Sequence, residues 1–168
     1  SVDDAFNIFK NSGEYKNITL DGIAFHIGSN INEIKPFEDS FKITNKLLQN
    51  LSDINIPIET IDVGGGVGIE NVNFSYTDYS NLISKYFDTS QKQIIIEPGR
   101  SISANTGILV SKILYIKKTE SRKFIIIDAG MNDWMRTALY DAQHQIVPLE
   151  KKQTKDSAET IIVGPICE

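Results

Sequence analysis

Apolar residues alternate between strand-like and helix-like spacing through the first hundred positions. Gly22–Ile27 is a short apolar run that ends in Gly28-Ser29. In Pro36–Leu51, Phe37, Phe41, Leu47, Leu48 and Leu51 recur at helical intervals before polar residues close the segment. Glu59–Val63 reads as a buried strand running into Gly64-Gly65-Gly66, and Thr77–Phe87 as a helix with Leu82, Ile83, Tyr86 and Phe87 on one side. Gln93–Ile96 is a further strand, closed by Glu97-Pro98-Gly99-Arg100. Strands separated by single helices, each ending in glycine or polar residues, predict a parallel α/β architecture with its chemistry at the strand C-termini.

The rhythm changes after about residue 105. Gly107–Lys117 and Lys123–Asp128 are strand-like and joined by the charged turn Lys117–Arg122; Gln145–Leu149 and Thr160–Ile166 follow. Helical periodicity is confined to Met131–Tyr140. Adjacent β runs with short links predict an antiparallel β domain. Lys151–Glu159, charged and apolar only at Ala158, reads as a solvated loop. The expected division is therefore residues 1–104 and residues 105–168.

Composition narrows the function. The 168 residues carry 17 Lys+Arg against 22 Asp+Glu, a formal charge of −5, without the basic footprint of a nucleic-acid binder. No apolar run approaches the ~20 residues needed to span a bilayer. A single cysteine makes neither an internal disulfide nor a cysteine-cluster metal site, no metal is expected, and a reducing cytoplasm suits it. The chain opens without the basic-then-apolar pattern of a signal peptide, and its first methionine is Met131. It is expected to be an internal piece of a longer protein.

The strongest local signal is Asp62-Val63-Gly64-Gly65-Gly66-Val67-Gly68. Consecutive glycines after a strand let the backbone turn sharply and bring N–H groups close to an anion, typically a phosphate. The same residues suit a tight turn without a ligand. No Lys-Ser/Thr follows, and Ile69–Tyr76 reads as an extended loop rather than a helix start, so a monophosphate is favoured over a dinucleotide. In Ile94–Arg100 an apolar strand delivers the Glu97 carboxylate, a Pro-Gly turn follows, and Arg100 lies three residues on. A solvated surface turn is the plain alternative. Against 14 lysines the chain has only three arginines, Arg100, Arg122 and Arg136, which marks Arg100 and Arg136 as places that need a two-point grip on an anion. Arg122 sits in a charged turn and needs no such explanation.

His26 lies at a strand end beside Gly28-Ser29, where its ring could stack on a flat cofactor while Ser29 bonds an anion; a core histidine is the competing reading. His144 has no such setting. Arg136 and Tyr140 are four apart and would share a face of one helical turn, suited to an amino-acid carboxylate, or to a packed helix with a surface arginine. Cys167, otherwise a buried small apolar residue, stands beside Glu168 and could serve as a proton donor.

Five blocks, His26–Ser29, Asp62–Gly68, Glu97–Arg100, Asp128–Tyr140 and Gly164–Glu168, stand in an order that resembles the diaminopimelate decarboxylases. These belong to the barrel-type pyridoxal-phosphate decarboxylases, which also include ornithine and arginine decarboxylases. The Asp-Ala-Gly-Met-Asn-Asp-Trp-Met-Arg block is most similar to the diaminopimelate branch. The resemblance implies the later half of a (β/α)8 barrel followed by part of a C-terminal antiparallel β domain. It also implies pyridoxal 5'-phosphate as cofactor, an amino-acid substrate and a homodimer with its active site at the subunit interface.

By the same resemblance, His26 would stack on the pyridine ring, Ser29 and the Gly64, Gly65 and Gly66 amides would hold the phosphate, and Glu97 would pair with the pyridine nitrogen. Gly99 and Arg100 would adjoin the cofactor, with Arg100 also near substrate. Arg136 and Tyr140 would bind the distal end of the substrate. Cys167 would stand near the carbon to be protonated, and Glu168 would recognise a substrate ammonium. Family members hold the cofactor on a lysine of an early barrel strand, and none of the lysines here has that setting, so the chain alone is expected to be inactive. Thr137 stands where many relatives have proline, and Ala24-Phe25 also departs from the usual residues. The implied reaction of the parent protein is decarboxylation of meso-diaminopimelate to L-lysine. The alternatives are decarboxylation of ornithine, arginine or carboxynorspermidine, and a non-catalytic homologue that binds the cofactor.

Overall fold

Three short strands, β1 (Gly22–Ala24), β2 (Thr60–Asp62) and β3 (Gln93–Ile95), lie side by side in that order and run parallel. They belong to the first of two units, Ser1–Gly107 and Ile108–Glu168, in a computed structural model that describes residues 1–150 and 159–166. The registers Ile23↔Ile61 and Ile61↔Ile94 align the strands, and the ladder runs past their ends: Phe25 N–H donates to the Asp62 carbonyl and Val63 N–H to that of Ile95, both at 3.0 Å.

Before the sheet stands α1 (Val2–Lys10), where the sequence reading assigned no element; its Phe9 is buried, and Ala5 and Phe6 pack against the same core. Helix α2 (Lys35–Asp53) connects β1 to β2, and α3 (Tyr76–Tyr86) connects β2 to β3. Pro36 sits in the first turn of α2, where a missing N–H costs nothing. Ser75 caps α3 in a reciprocal box with Asp78. The apolar stripe of α2, Phe37, Phe41, Leu47, Leu48 and Leu51, meets Tyr79, Leu82 and Ile83 of α3 and Ile61 and Val63 of the sheet. Strand alternation then turns Ala24 and Asp62 to the other face, along with the exposed Ile95.

The core is aromatic. Phe41 packs edge-on to Phe25 and Tyr86 and at a tilt to Phe87, while Phe37 meets Tyr79 edge-on at 5.0 Å. The Tyr79 hydroxyl is buried without a hydrogen-bond partner among the described residues, and burial pushes its pKa up to about 12. Removing a buried, unsatisfied hydroxyl while keeping the ring costs nothing in packing. Tyr79→Phe is therefore expected to leave stability unchanged or raise it by up to about 1 kcal/mol, read from a thermal melt.

Helices α2 and α3 are also joined through Glu38. Its carboxylate accepts from Lys85 Nζ at 3.1 Å and from the Tyr86 hydroxyl at 3.0 Å, with Lys42 nearby. These contacts, led by the Lys85 hydrogen bond, lower the Glu38 pKa to about 2 from an ordinary 4.5. A carboxyl depressed in the folded state stabilises fully above its unfolded pKa, and that contribution is lost as pH falls from about 4.5 towards 2. Glu38→Gln is expected to flatten the pH dependence of stability in this window, measured by denaturant midpoints at stepped pH.

A four-residue helix, α4 (Arg100–Ser103), begins where the sequence reading had only a Pro-Gly turn. Gly99 supplies the turn, and its carbonyl accepts from the Ile102 and Ser103 N–H groups.

In the second unit, β4 (Ile113–Lys118) and β5 (Lys123–Ile127) form an antiparallel hairpin closed by the Thr119–Arg122 bonds. The expected all-antiparallel sheet is corrected by β6 (Thr160–Val163), which pairs parallel with β5 in the register Lys123↔Thr160 to Ile126↔Val163. A parallel partner requires a long crossover, and the chain between Ile127 and Thr160 supplies it.

Gln145–Leu149, expected as a strand, has no ladder partner among the described residues, and Ile146, Val147 and Leu149 are exposed. The helix expected over Met131–Tyr140 shortens to α5 (Arg136–Tyr140). The expected solvated loop Lys151–Glu159 lies outside the described residues except for Glu159. Among those residues no helix is long and apolar enough to cross a membrane.

Candidate functional site

The loops after β1, β2 and β3 are tied to one another, and they carry the candidate residues of the first unit. Gly64, Gly65 and Gly66 leave β2 in a turn that needs positive φ at Gly64 (+69°) and Gly66 (+100°). The fit is close. A Cβ on Gly65 would overlap the Glu97 carbonyl oxygen, and one on Gly66 the Gly28 carbonyl oxygen. The Glu97 N–H donates to the Gly64 carbonyl at 2.8 Å, which ties the end of β3 to the glycine loop. On the other side, Ile31 N–H donates to Gly66 O at 2.9 Å and Gly68 N–H to Ile31 O at 3.0 Å, so the loop bearing Ser29 lies along residues 66–68.

His26 and Glu97 therefore reach the glycine loop from opposite neighbouring strands. His26 is exposed, and its Nδ1 accepts the Gly65 N–H at 3.4 Å. Glu97 is exposed and has no ion pair among the described residues, so its charge is available to a ligand cation. The Gly64 N–H is taken by the Asp62 carboxylate at 2.8 Å. That leaves the Gly66 N–H, and those of Gly99, Arg100 and Ser101, without a hydrogen bond to described residues. An open cleft of about 370 Å³ lies between the segment after the glycine loop and α4, lined by Val67, Gly68, Phe74, Tyr76, Ser101 and Asn105. N–H donors without partners on adjacent loops suit a phosphate monoester. Arg100 itself is exposed and unpaired among the described residues.

The second unit carries Arg136 and Tyr140. The Arg136 guanidinium lies over the Tyr140 ring, 5.2 Å from its centroid, as the four-residue spacing predicts. The segment that delivers them starts at Asp128, whose carboxylate accepts from Ser111 Oγ at 2.6 Å and the Lys112 N–H at 2.8 Å. These bonds, the Ser111 one foremost, lower its pKa. Gly130 N–H donates to Asp133, and Trp134 packs edge-on against His144 at 4.8 Å. Cys167 and Glu168 lie outside the described residues. The sequence reading missed Asp62 as a residue acting on the loop, although an aspartate two residues before a turn glycine is a known local signal.

A glycine-rich loop flanked by a ring, a carboxylate without an ion pair among the described residues and an exposed arginine, at the ends of parallel strands, has the groups to hold a phosphorylated cofactor. Residues 5–168 match the family model described as "Pyridoxal-dependent decarboxylase, C-terminal sheet domain", and the chain belongs to that family. It is 40% identical over 172 residues to diaminopimelate decarboxylase of Haemophilus influenzae, covering 100% of this chain and 41% of that protein. It is 37% identical to that of Aquifex aeolicus, covering 95% and 39%. The crystal structure of diaminopimelate decarboxylase from Helicobacter pylori complexed with L-lysine superposes with a TM-score of 0.88 at 32% identity, over 100% of this chain and 42% of that one. The chain thus spans about two fifths of the length of the relatives it matches.

Proposed function

We propose that the protein to which this chain belongs is a pyridoxal-phosphate-dependent decarboxylase that converts meso-diaminopimelate to L-lysine and carbon dioxide. On this reading residues 1–104 are the later part of a (β/α)8 barrel that binds the cofactor, and residues 105–168 begin the C-terminal sheet domain. The observation that carries it is the junction of His26, Gly64–Gly66 and Glu97 at the ends of three adjacent parallel strands. Support for the substrate comes from relatives named diaminopimelate decarboxylase and from the L-lysine held by the Helicobacter pylori enzyme.

Bound pyridoxal phosphate supplies a protonated pyridine that accepts the electrons left as carbon dioxide departs. The chain's own residues do the rest. Gly64, Gly65 and Gly66 shape the phosphate loop, with the N–H groups of Gly66, Gly99, Arg100 and Ser101 as donors and Ser29 beside them. His26 presents its ring to the cofactor face, and Glu97 holds a proton on the ring nitrogen. Arg136 and Tyr140 bind the distal carboxylate of the substrate, with Arg100 as a further contact. Cys167 protonates the substrate carbon and Glu168 binds its ammonium, both across a homodimer interface. The enzyme is cytoplasmic.

Carbon dioxide release by the full-length protein tests this, with meso-diaminopimelate, ornithine, arginine and lysine compared in the presence of pyridoxal phosphate. Release from diaminopimelate alone is expected, with lysine as product. Release from another amino acid overturns the substrate, and cofactor binding without any release overturns the enzyme. Arg136→Ala is expected to depress diaminopimelate turnover far more than cofactor binding; equal loss of both would remove Arg136 from substrate recognition.

A further inference from the structure

We infer that Asp62 is the positioning residue of this site and that it acts on His26 through the glycine loop; the inference deepens the proposed cofactor role of His26 and rests on it. The last residue of β2, half-buried Asp62, points its carboxylate back to the Gly64 N–H at 2.8 Å. That bond closes the turn in which Gly64 takes its left-handed φ of +69°. With Gly64 so placed, the next N–H, that of Gly65, donates to His26 Nδ1 at 3.4 Å. Gly64 itself lies against β1: a Cβ there would overlap the Phe25 carbonyl oxygen and approach His26 Nδ1 to 3.2 Å. The Gly64 carbonyl accepts the Glu97 N–H. One carboxylate thus anchors the Val63–Gly64 peptide, directly before the Gly64–Gly65 peptide to which both proposed cofactor contacts, His26 and Glu97, are tied.

The chemical consequence is a fixed tautomer. In a neutral imidazole one nitrogen donates and the other accepts. A backbone N–H aimed at Nδ1 selects the form with the proton on Nε2 and stops rotation of the ring. The ring then offers a flat face in one orientation for stacking on a heteroaromatic cofactor.

The test uses the full-length protein labelled with 15N in histidine, without and with pyridoxal phosphate, and a His26→Gln spectrum to assign the signal. In the wild type, His26 is expected as the Nε2–H tautomer at about pH 8, above the ordinary histidine range. Asp62→Ala should return His26 to a tautomer mixture and weaken cofactor binding by about tenfold, whereas Asp62→Asn, which keeps an oxygen at the same place, should retain the tautomer and lose less than about threefold. Should D62A fail to fold, Asp62→Glu makes the same comparison, since it keeps the charge but moves it by one methylene.

A proton on Nδ1 in the wild type, or an unchanged His26 signal in D62A, overturns the positioning role. The two readings fail separately. An intact Asp62-dependent tautomer in a protein that decarboxylates nothing sinks the functional proposal alone, and decarboxylation with a tautomer indifferent to Asp62 sinks this inference alone.

Discussion

Glu97→Gln in the full-length protein is expected to lower decarboxylation by roughly 10²–10³-fold, the scale on which a single preorganised electrostatic contact acts in catalysis. The substitution preserves volume and leaves untouched the backbone bond from Glu97 N–H to Gly64 O, so the glycine loop keeps its shape. It removes only a negative charge that has no cation partner among the described residues. Cofactor affinity, followed by absorbance titration, should fall much less than the rate, because the phosphate donors are unaltered. A variant that decarboxylates within a few-fold of the wild type would take Glu97 out of the chemistry and leave it a surface carboxylate at a strand end.

Phe41→Ala should cause the largest loss of stability of any single core truncation in the first unit, about 3–5 kcal/mol for a fully buried phenylalanine. Phe41 is 0% exposed and touches four rings, Phe25, Tyr79, Tyr86 and Phe87, at centroid distances between 5.2 and 6.5 Å. Those rings come from the residue after β1, from α3 and from the residue after it, so collapse around the cavity would pull on two elements besides α2 itself. Phe25 immediately precedes His26, and the damage is therefore expected to reach cofactor affinity as well. Denaturant unfolding gives the stability change; a loss below about 1.5 kcal/mol, the range of volume-conserving swaps, would mean that the neighbouring rings refill the space.

Much of this was readable from residue spacing. Phe37, Phe41, Leu47, Leu48 and Leu51 mark one face of α2 because a helix brings such positions together whatever it packs against. Three apolar runs, each followed by glycine or a carboxylate, mark the three parallel strands, whose ends carry the candidate residues. Gly64–Gly66 announces a backbone that must turn through positive φ, since only glycine does so without cost. The family resemblance rested on blocks of this kind, and the residues 5–168 that match the family model contain all of them.

Elsewhere the spacing misled. Gln145–Leu149 has the apolar content of a strand, but a strand exists only where a neighbour offers its N–H and C=O groups, and none does here among the described residues. The direction of β6 depended on which edge of β5 was open and on the length of the crossover, neither of which is a property of Thr160–Val163 itself. Helix α1 has its own signals, Val2, Ala5, Phe6 and Phe9 at helical spacing and a Ser1–Asp4 capping box, but a nine-residue helix is marginal alone, and packing against α2 gives Ala5, Phe6 and Phe9 a face to bury.

The amino-acid sequence by itself determined the local conformations and the inventory of reactive groups: which segments are amphipathic, where the backbone needs glycine, and which carboxylates, rings and guanidinium groups are present. The tertiary structure alone decided how those groups are used. It brought His26, Gly65, Gly64 and Glu97 into one hydrogen-bonded chain from three separate strands, gave the Gly64 N–H to Asp62, and left the Gly66 N–H without a protein partner. The physical reason is that hydrogen-bond partnership between strand ends depends on register and on the close approach of backbones distant along the chain, and the pattern of neighbours in sequence does not encode either one locally.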